Sequence, residues 1–307
     1  MTSYSDSDLL RELEPVAAAN LDRHLGLAAE WMPHEYVPWS QGRDFDSQPW
    51  EPGQSTLSDV AQLAFEVNLL TEDNLPSYHR EIAGGFGLDS AWGTWVGRWT
   101  AEEGRHAIAM RDFLLVTRGV DPVTLERGRM HQMQVGYHSG GKTPLHILAY
   151  VTFQELATRI AHRNTGRYAE DPLAEKLMAR IAADENLHMI FYRNLTAAAL
   201  EFDPNGAVQV IRDEVLGFEM PGTGILDFAE KARRIAEAGI YDLRIHHDEV
   251  LTPVLRQLRF FQLEGLDAAA SQARDEVASF LETVDAFATR QAEKRAAREA
   301  RGAAAQA

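Results

Sequence analysis

Two glutamate–histidine pairs interrupt stretches of the sequence that otherwise have the pattern of buried helices. Glu103 and His106 form the first pair, and Glu185 and His188 form the second; no other histidine in the chain follows a glutamate by three residues. This spacing places both side chains of a pair on one helical face. Carboxylate oxygen and imidazole nitrogen together suit divalent iron or manganese. We therefore interpret both pairs as metal ligands.

Two further glutamates continue apolar helical stripes without a histidine partner. They are Glu72 and Glu155. Glu103 follows Glu72 by 31 residues, and Glu185 follows Glu155 by 30, so the same pattern occurs twice at nearly the same spacing. This repetition predicts two similar helix hairpins that face each other.

The six side chains together form the donor set of a dimetal site. They are Glu72, Glu103, His106, Glu155, Glu185 and His188. One glutamate from each of two helices and a Glu-x-x-His pair from each of two others is the arrangement of ferritin-like carboxylate proteins. Four carboxylates balance the charge of two divalent cations, which makes their burial possible. The alternative is four separate buried carboxylates, paired with arginines such as Arg105 and Arg159.

The elements that must position these residues are helices, because alternating β-branched stretches are nearly absent. The sequence predicts helices at 8–25, 56–84, 88–118, 121–134, 144–168, 171–201, 206–217, 225–239, 243–258 and 268–298. Pro76 marks either a kink or a break beside Glu72, because it cannot donate to the carbonyl four residues earlier. We expect an all-α protein, with a ferritin-like four-helix bundle core elaborated into a larger single-domain helical bundle over residues 1–307.

Two segments lie outside this helical pattern. The Pro- and aromatic-rich stretch 31–55 is expected to form an extended arm over the bundle, since it carries too many aromatic residues for a solvated linker. The charged, then Ala-rich stretch 285–307 is expected to be a helical tail that becomes disordered.

Composition excludes several classes of protein. The chain of 307 residues has no cysteine, which excludes disulfides, iron–sulfur clusters and thiolate zinc sites. Its net charge of −16 argues against general nucleic-acid binding. The acidic N-terminus does not have the pattern of a signal peptide, and no apolar run approaches about eighteen residues, so we expect a cytoplasmic protein without a membrane span.

Four stretches resemble the signature helices of the soluble acyl-acyl carrier protein (ACP) desaturases, of the stearoyl-ACP type and closest to the actinobacterial branch. They read LTEDNLPSYHREI, RWTAEEGRHAIAMRDFL, VTFQELATRIAHRNT and IAADENLHMIFY. The resemblance covers most of residues 8–260 and is weak over the arm and tail. It implies a homodimeric ferritin-like diiron enzyme with two iron ions per subunit. Such an enzyme uses O2 and a ferredoxin-type electron donor to introduce a cis double bond into a saturated acyl chain on ACP.

The resemblance also implies roles for particular residues. It assigns the six donors above to the iron ions and places Thr158 beside the oxygen-binding face, although a buried threonine often bonds back to its own helix. Trp31 and Asp184 match a route for electrons; the alternative is a packed arm tryptophan and a surface aspartate. Gly84 and Gly85 depart from the plant enzymes, which leaves chain length and double-bond position open.

Substrate contacts follow as weaker expectations. An apolar acyl channel beside the metals is expected to be lined partly by Ile82, Trp95, Met110 and Leu148. Because ACP is acidic, it is expected to dock on basic residues despite the overall negative charge. The candidate clusters are Lys231–Arg234 and Arg256–Arg259.

Two other classes of function stay open from the residues alone. Another ferritin-like diiron oxidase, such as a ribonucleotide reductase radical subunit or an N-oxygenase, has the same donors. A radical subunit would need a tyrosine beside the metals, for which Tyr192 is the candidate. The second class is a metal-binding helical scaffold without desaturase activity.

Overall fold

The computed structural model describes residues 4–306, with side chains as far as residue 297. Its longer helices are α1 (Asp6–Leu27), α2 (Asp59–Glu72), α3 (Leu75–Phe86), α4 (Ser90–Val116), α5 (Pro122–Val135), α6 (Pro144–Tyr168), α7 (Pro172–Phe202), α8 (Pro204–Leu216) and α9 (Phe228–Glu237). The short α10 (Leu243–Ile245) and α11 (Thr252–Gln257) precede α12 (Ala268–Gln306). No strand occurs among these residues, which confirms the all-α prediction for the described part of the chain.

Local chemistry explains where the helices that carry the donors begin. The side chain of Thr143 accepts from the backbone of His146 at the start of α6, and Asp171 accepts from Leu173 and Ala174 at the start of α7. A proline occupies the first turn of both helices, where its missing N–H leaves no bond unmade. The lengths of α6 and α7 therefore follow from the sequence almost to the residue.

The predicted helix 56–84 is two helices. α2 ends at Glu72 and α3 begins at Leu75, with Pro76 in its first turn. The break follows from Pro76, which cannot donate to the carbonyl of Glu72 and clashes with a continuing helix. Glu72 consequently lies in the last turn of α2, where its side chain is buried.

The apolar core consists of two clusters of buried side chains, and the donor residues lie between them. Along α4, Trp99 belongs to the first cluster and Ala107 to the second. Along α7, Ile181 belongs to the second cluster and Met189 to the first. Both Glu-x-x-His pairs fall between these positions. The metal-ligand candidates therefore form a polar layer enclosed by apolar packing on both sides.

The arm after α1 contacts the bundle through specific bonds. It contains two 3₁₀ turns, Pro33–Glu35 and Trp39–Gln41. The guanidinium of Arg118, which is 1 % exposed, donates to the carbonyls of Gln48, Arg43 and Asp44. α12 continues as a helix to Gln306, so the disorder expected within the tail is not seen as far as that residue, and Ala307 lies outside the described residues.

None of the helices in the described part of the chain is long and apolar enough to cross a membrane.

A partly buried histidine between α10 and α11 predicts sensitivity to acid. His246 lies in a π-helical turn, bonded through Nδ1 to the hydroxyl of Tyr241 at 2.8 Å and packed on Phe218. Burial, and then the neighbouring His247, lower the pKa of His246 from 6.5 to about 4. The unfolded chain therefore takes up this proton first, and the stabilisation, complete above pH 6.5, is lost as the pH falls toward 4.

The expected contribution of this histidine to acid destabilisation is at most about 3 kcal/mol. In the variant His246→Asn, which retains an acceptor for Tyr241, the free energy of unfolding should fall less between pH 7 and pH 4.5. Urea denaturation at both pH values measures the difference. If the free energy of unfolding falls equally in the variant and the natural protein, His246 is not a source of the acid sensitivity.

Candidate metal centre

The structure brings the six predicted donors together at the centre of the bundle. α2 supplies Glu72, α4 supplies Glu103 and His106, α6 supplies Glu155, and α7 supplies Glu185 and His188. All six are buried. Their atoms form two overlapping groups within 4.8 Å: Glu72, Glu103, His106 and Glu185 in one, and Glu103, Glu155, Glu185 and His188 in the other. Glu103 and Glu185 belong to both groups, which is the arrangement needed to bridge two ions.

Each histidine directs its Nδ1 atom at the carboxylates. Nδ1 of His106 lies 3.1 Å from Oε1 of Glu185, 3.4 Å from Oε2 of Glu103 and 3.7 Å from Oε2 of Glu72. Nδ1 of His188 lies 2.8 Å from Oε1 of Glu103 and 3.7 Å from Oε2 of Glu155. The two imidazoles therefore lie in the two different groups.

The other ring nitrogen of each histidine is held by an acid from the opposite pair's helix. Nε2 of His188 donates to Oε2 of Glu102 at 2.9 Å, and Nε2 of His106 lies 3.4 Å from Oδ2 of Asp184. A neutral imidazole that carries its proton on Nε2 has a lone pair on Nδ1. A lone pair facing carboxylate oxygens is stable only with a cation, or a proton, between them.

Unpaired donor atoms show that the residues fit a pair of cations. The buried atoms Oε1 of Glu103, Oε2 of Glu155, both carboxylate oxygens of Glu185 and both Nδ1 atoms make no hydrogen bond. Burial and the neighbouring carboxylates raise the pKa of Glu185 well above its usual value, and burial together with Glu72 raises that of Glu103 to about 7. Two divalent ions would balance this excess negative charge, and ligation by these residues stays a prediction.

The arginine-paired alternative is wrong. Among the described residues, no arginine lies within 4 Å of the four glutamates in question, and Arg105 pairs with Asp184 at 3.1 Å instead. Another arginine, Arg98, forms an ion pair with Glu102. The arginines therefore neutralise Glu102 and Asp184, the acids that contact Nε2 of the two histidines. The four central carboxylates have no arginine partner and could be neutralised by a cation.

Sequence reasoning missed the partners of His188. Glu102 is 2 % exposed and accepts from both His188 and His24 of α1, each at 2.9 Å. These bonds outweigh burial and hold the pKa of Glu102 well below its usual value. The signal was present in the sequence: Glu102 directly precedes Glu103 as Asp184 directly precedes Glu185. No comparable signal marked His24, which depends on how α1 packs.

His162 is a second missed residue. Nε2 of His162 donates to Oε1 of Glu72 at 2.8 Å, and the side chain is fully buried on α6. Burial alone would raise the pKa of Glu72, but the neighbouring imidazole of His106 and the hydrogen bond from His162 lower it below its usual range. His162 therefore keeps Glu72 ionised and oriented toward the centre.

Trp31 and Asp184 are in direct contact. Nε1 of Trp31 donates to Oδ2 of Asp184 at 2.7 Å, and the Trp31 and His106 rings stack with centroids 6.3 Å apart. Asp184 is 1 % exposed, so the alternative of a surface aspartate is wrong. Burial raises its pKa, but bonds from His106 and Trp31 and the charge of Arg180 lower it to about 2. A continuous contact thus leads from the arm to a predicted ligand, while its use by electrons stays a prediction.

Thr158 lies close to Glu155 but bonds within its own helix. Its hydroxyl donates to the carbonyl of Gln154 at 2.9 Å and accepts from the side-chain amide of the same residue at 2.8 Å. Back-bonding, the alternative to an oxygen role, is therefore what the structure contains. An additional role toward oxygen stays untested.

A cavity reaches the candidate centre between α3, α4 and α6. It touches Glu72, Glu103 and Glu155, and its apolar wall includes Ile82, Trp99, Ile147 and Val151. Of the four residues expected to line an acyl channel, Ile82 does so. The other three, Trp95, Met110 and Leu148, lie in the packed core, because their helix faces point at neighbouring helices.

One glycine of α3 allows a side chain of the cavity wall to pack closely against the helix. A Cβ at Gly85 of α3 would lie 2.3 Å from Cδ1 of Ile147. Gly85 therefore makes room for the isoleucine side chain, which in turn forms part of the cavity wall.

Comparisons with known proteins agree with this geometry. The profile of the fatty acid desaturase family matches residues 5–306. DesA1 of Mycobacterium tuberculosis, described as a candidate acyl-[acyl-carrier-protein] desaturase, is 50% identical over 92% of this chain and 86% of its own length. A chloroplast stearoyl-[acyl-carrier-protein] 9-desaturase of Arabidopsis thaliana is 30% identical over 83% of this chain and 70% of its own.

The fold has a solved counterpart. The X-ray structure of DesA2 from Mycobacterium tuberculosis superposes with a TM-score of 0.69 and 32% sequence identity, covering 87% of this chain and 99% of that one. This likeness confirms the ferritin-like helical fold. With the profile match over nearly the whole chain and the relatives above 30% identity, it identifies the protein as a member of the fatty acid desaturase family.

Proposed function

We propose that this enzyme introduces a cis double bond into a saturated acyl chain carried by ACP, with a pair of iron ions at the candidate centre. The observation that supports it best is the apolar cavity whose wall includes Glu72, Glu103 and Glu155. A tethered chain in that cavity would bring its methylene groups next to the predicted ligands. The names of the curated relatives support ACP as the carrier.

The proposed reaction balances with two electrons from outside. One CH2–CH2 unit, O2, two electrons and two protons give one CH=CH unit and two molecules of water. Iron, when bound, supplies the oxidising power that an unactivated C–H bond requires. The protein positions the chain and excludes water, since positioning alone can account for a large share of a rate enhancement. The closely packed apolar clusters on both sides of the donors serve the second task.

Two polar residues at one end of the cavity wall, Ser139 and Lys142, are paired with acidic side chains. Ser139 donates to Glu81, and Lys142 pairs with Glu214. Ser139 and Lys142 lie at the turn before α6, away from Glu155 along that helix. The section beside the predicted ligands is therefore the one suited to a hydrocarbon chain.

The function is tested by the mass of the product. The protein is loaded with ferrous iron without oxygen, then given saturated acyl-ACP substrates of several lengths, a ferredoxin reducing system and O2. We expect one chain length to lose two hydrogens, detected by mass spectrometry. Oxygen consumption without any change in acyl mass would contradict the substrate, while leaving the diiron assignment intact.

A test of the electron route uses the tryptophan of the arm. Trp31→Phe keeps an aromatic ring but removes the Nε1–H that donates to Asp184. Turnover with ferredoxin should fall about tenfold, which corresponds to about 1.4 kcal/mol. A single turnover of chemically reduced enzyme should be unchanged. Trp39→Phe is the control, because Trp39 lies on the same arm and is 51% exposed. A uniform loss in both assays would contradict an electron role.

The candidate docking clusters differ in availability. Lys231 pairs with Glu66 at 2.7 Å, and Arg233 pairs with Glu230 and Glu237. The cluster at Lys231–Arg234 is therefore largely neutralised within the chain. We retain Arg256 and Arg259, both exposed, as the candidate contacts for acidic ACP.

A homodimer stays part of the proposal. Its support in this chain is an exposed apolar surface on α5, where Val123 and Met130 are 53% and 51% exposed. Large exposed apolar surfaces commonly mark interfaces between chains. Sedimentation equilibrium should give twice the mass of one chain. Cytoplasmic location and the single-domain organisation also stay predictions.

A further inference from the structure

A second cavity adjoins the candidate centre on another side. It lies between α2, α6 and α9, and we call it the side chamber. Apolar side chains dominate its wall: Val67, Ala161, Met220, Phe228, Ala232 and Ile235. At its inner end it reaches Glu72, Thr158 and His162.

The side chamber is distinct from the acyl cavity. Gln154 lines the acyl cavity and Thr158 lines the side chamber, and the two side chains are hydrogen-bonded to each other at 2.8 Å. Both cavities share Thr71 and Glu72. The two spaces therefore meet the candidate centre from different directions, and an occupant of one leaves the other free.

The chemistry of the wall points to an apolar occupant. Thr71 donates to the carbonyl of Val67 at 2.9 Å, and Asn68 donates to Thr165 at 3.1 Å. Tyr241 is bonded to His246. Apart from Nδ1 of His162 and Oε2 of the predicted ligand Glu72, the polar side chains that reach the chamber are thus already bonded within the protein. A polar ligand would lose its hydration without gaining new bonds, whereas a small apolar molecule has none to lose.

The helix that covers the chamber is lightly packed. α9 has no fully buried side chain, and it places Phe228, Ala232 and Ile235 on one face toward the chamber. An ion pair between Lys231 and Glu66 of α2, at 2.7 Å, also holds it. Such a helix opens at low cost compared with the core helices, which gives a small molecule access from solvent.

We propose that the side chamber admits dioxygen to the metal centre while the acyl chain fills the other cavity. This inference rests on the proposed function, which makes dioxygen a substrate. It explains why the polar groups around the chamber are bonded internally and why Thr158 and Gln154 separate the two spaces. Acyl substrate and dioxygen would then arrive by separate routes and could bind together.

Xenon provides a probe that does not depend on activity. Apolar cavities bind xenon, which is visible in crystals by anomalous scattering. We expect xenon in the side chamber of the full chain, between Ala161 and Ala232. In Ala232→Phe the ring should fill this space and remove the xenon signal. Xenon confined to the acyl cavity would overturn the proposal.

Oxygen kinetics provide the second test. Ala232→Phe should lower kcat/KM for dioxygen about tenfold, and Ala232→Leu should have a smaller effect. The KM for acyl-ACP and the iron content should stay unchanged. Ala229→Phe is the matched control, because it adds the same ring to an exposed position of α9. An unchanged kcat/KM for dioxygen in a correctly folded Ala232→Phe protein would overturn the proposal.

Failure of the proposed function gives a different result. If no acyl chain is desaturated but reduced, iron-loaded protein still reacts with dioxygen, the rate of iron oxidation replaces turnover as the readout. Ala232→Phe should slow that oxidation, and Ala229→Phe should not. If iron in both variants is oxidised at the rate of the natural protein, the side chamber is not the route by which dioxygen reaches the metal centre, whatever the acyl substrate is.

Discussion

Glu185→Gln is expected to remove both metal ions at once and to lower desaturation at least about 1000-fold. Glu185 belongs to both groups of donor atoms, so neutralising it weakens two ion sites rather than one. Loss of a metal that stabilises charge is worth several kcal/mol in the transition state, which corresponds to a change of this size. Iron analysis after anaerobic loading and product mass spectrometry measure both effects.

The same substitution should have the opposite effect on the metal-free protein. In the metal-free protein four buried carboxylates share one site, and Glu185 faces the charges of Glu103, Glu155 and Glu72. Replacing buried ionic groups by neutral residues of similar volume is often neutral or stabilising by about 1–4 kcal/mol, and repulsion among these carboxylates favours the stabilising sign here. The metal-free variant should therefore unfold at a higher temperature than the metal-free natural protein, and iron should no longer raise its Tm.

Glu201→Gln is the control for both measurements, because Glu201 is exposed near the end of the same helix. Its iron content, activity and Tm should match those of the natural protein. Retention of two iron ions by Glu185→Gln would contradict the prediction that this residue ligates both ions. A lower Tm in the absence of metal would contradict the repulsion argument.

Glu102→Ala is expected to have the second largest effect, although Glu102 is not a predicted ligand. Its removal leaves Nε2 of both His188 and His24 without a partner in a buried place, together with the guanidinium of Arg98. Breaking a buried charged network from one side typically costs about 3–5 kcal/mol of stability. Loss of the acid behind a metal-binding histidine lowers metal affinity by about 10- to 100-fold.

Two comparison variants separate these contributions. Glu102→Gln keeps an acceptor oxygen for one histidine, so its loss of metal affinity should be smaller than that of Glu102→Ala. Asp184→Ala should weaken the ion nearer His106 instead of the ion nearer His188, because Asp184 faces that other imidazole. Ferrous titrations measure metal affinity, and urea denaturation measures the free energy of unfolding. If Glu102→Ala binds iron as tightly as the natural protein, the hydrogen bond from His188 to Glu102 does not contribute to metal binding.

Periodicity and spacing were sufficient to predict most of the helical architecture. The predicted helix at 144–168 has the observed bounds of α6, and 171–201 differs from α7 by one residue at each end. Both helices have strong start signals, a capping side chain followed by proline. The helix at 56–84 was predicted as one element because its apolar stripe continues past Pro76, whereas the missing N–H ends it at Glu72.

Spacing also predicted which six side chains would meet. A three-residue interval fixes the face of a helix, and the near-equal separations of 31 and 30 residues place the two halves of the pattern opposite each other. The expected acyl-channel residues were less successful. Trp95, Met110 and Leu148 have the same periodicity as true lining residues, and periodicity says that a residue points inward without saying whether a neighbour fills the space in front of it.

The sequence by itself determined the helices, the inward faces and the donor set, because each depends on intervals of a few residues along one helix. Tertiary structure alone decided the rest. Contacts such as His24 with Glu102, His162 with Glu72 and Trp31 with Asp184 join residues 78, 90 and 153 positions apart. The division of the interior into an acyl cavity and a side chamber likewise brings together residues from distant parts of the chain. These features depend on how separate helices pack against one another, and local spacing carries no record of that packing.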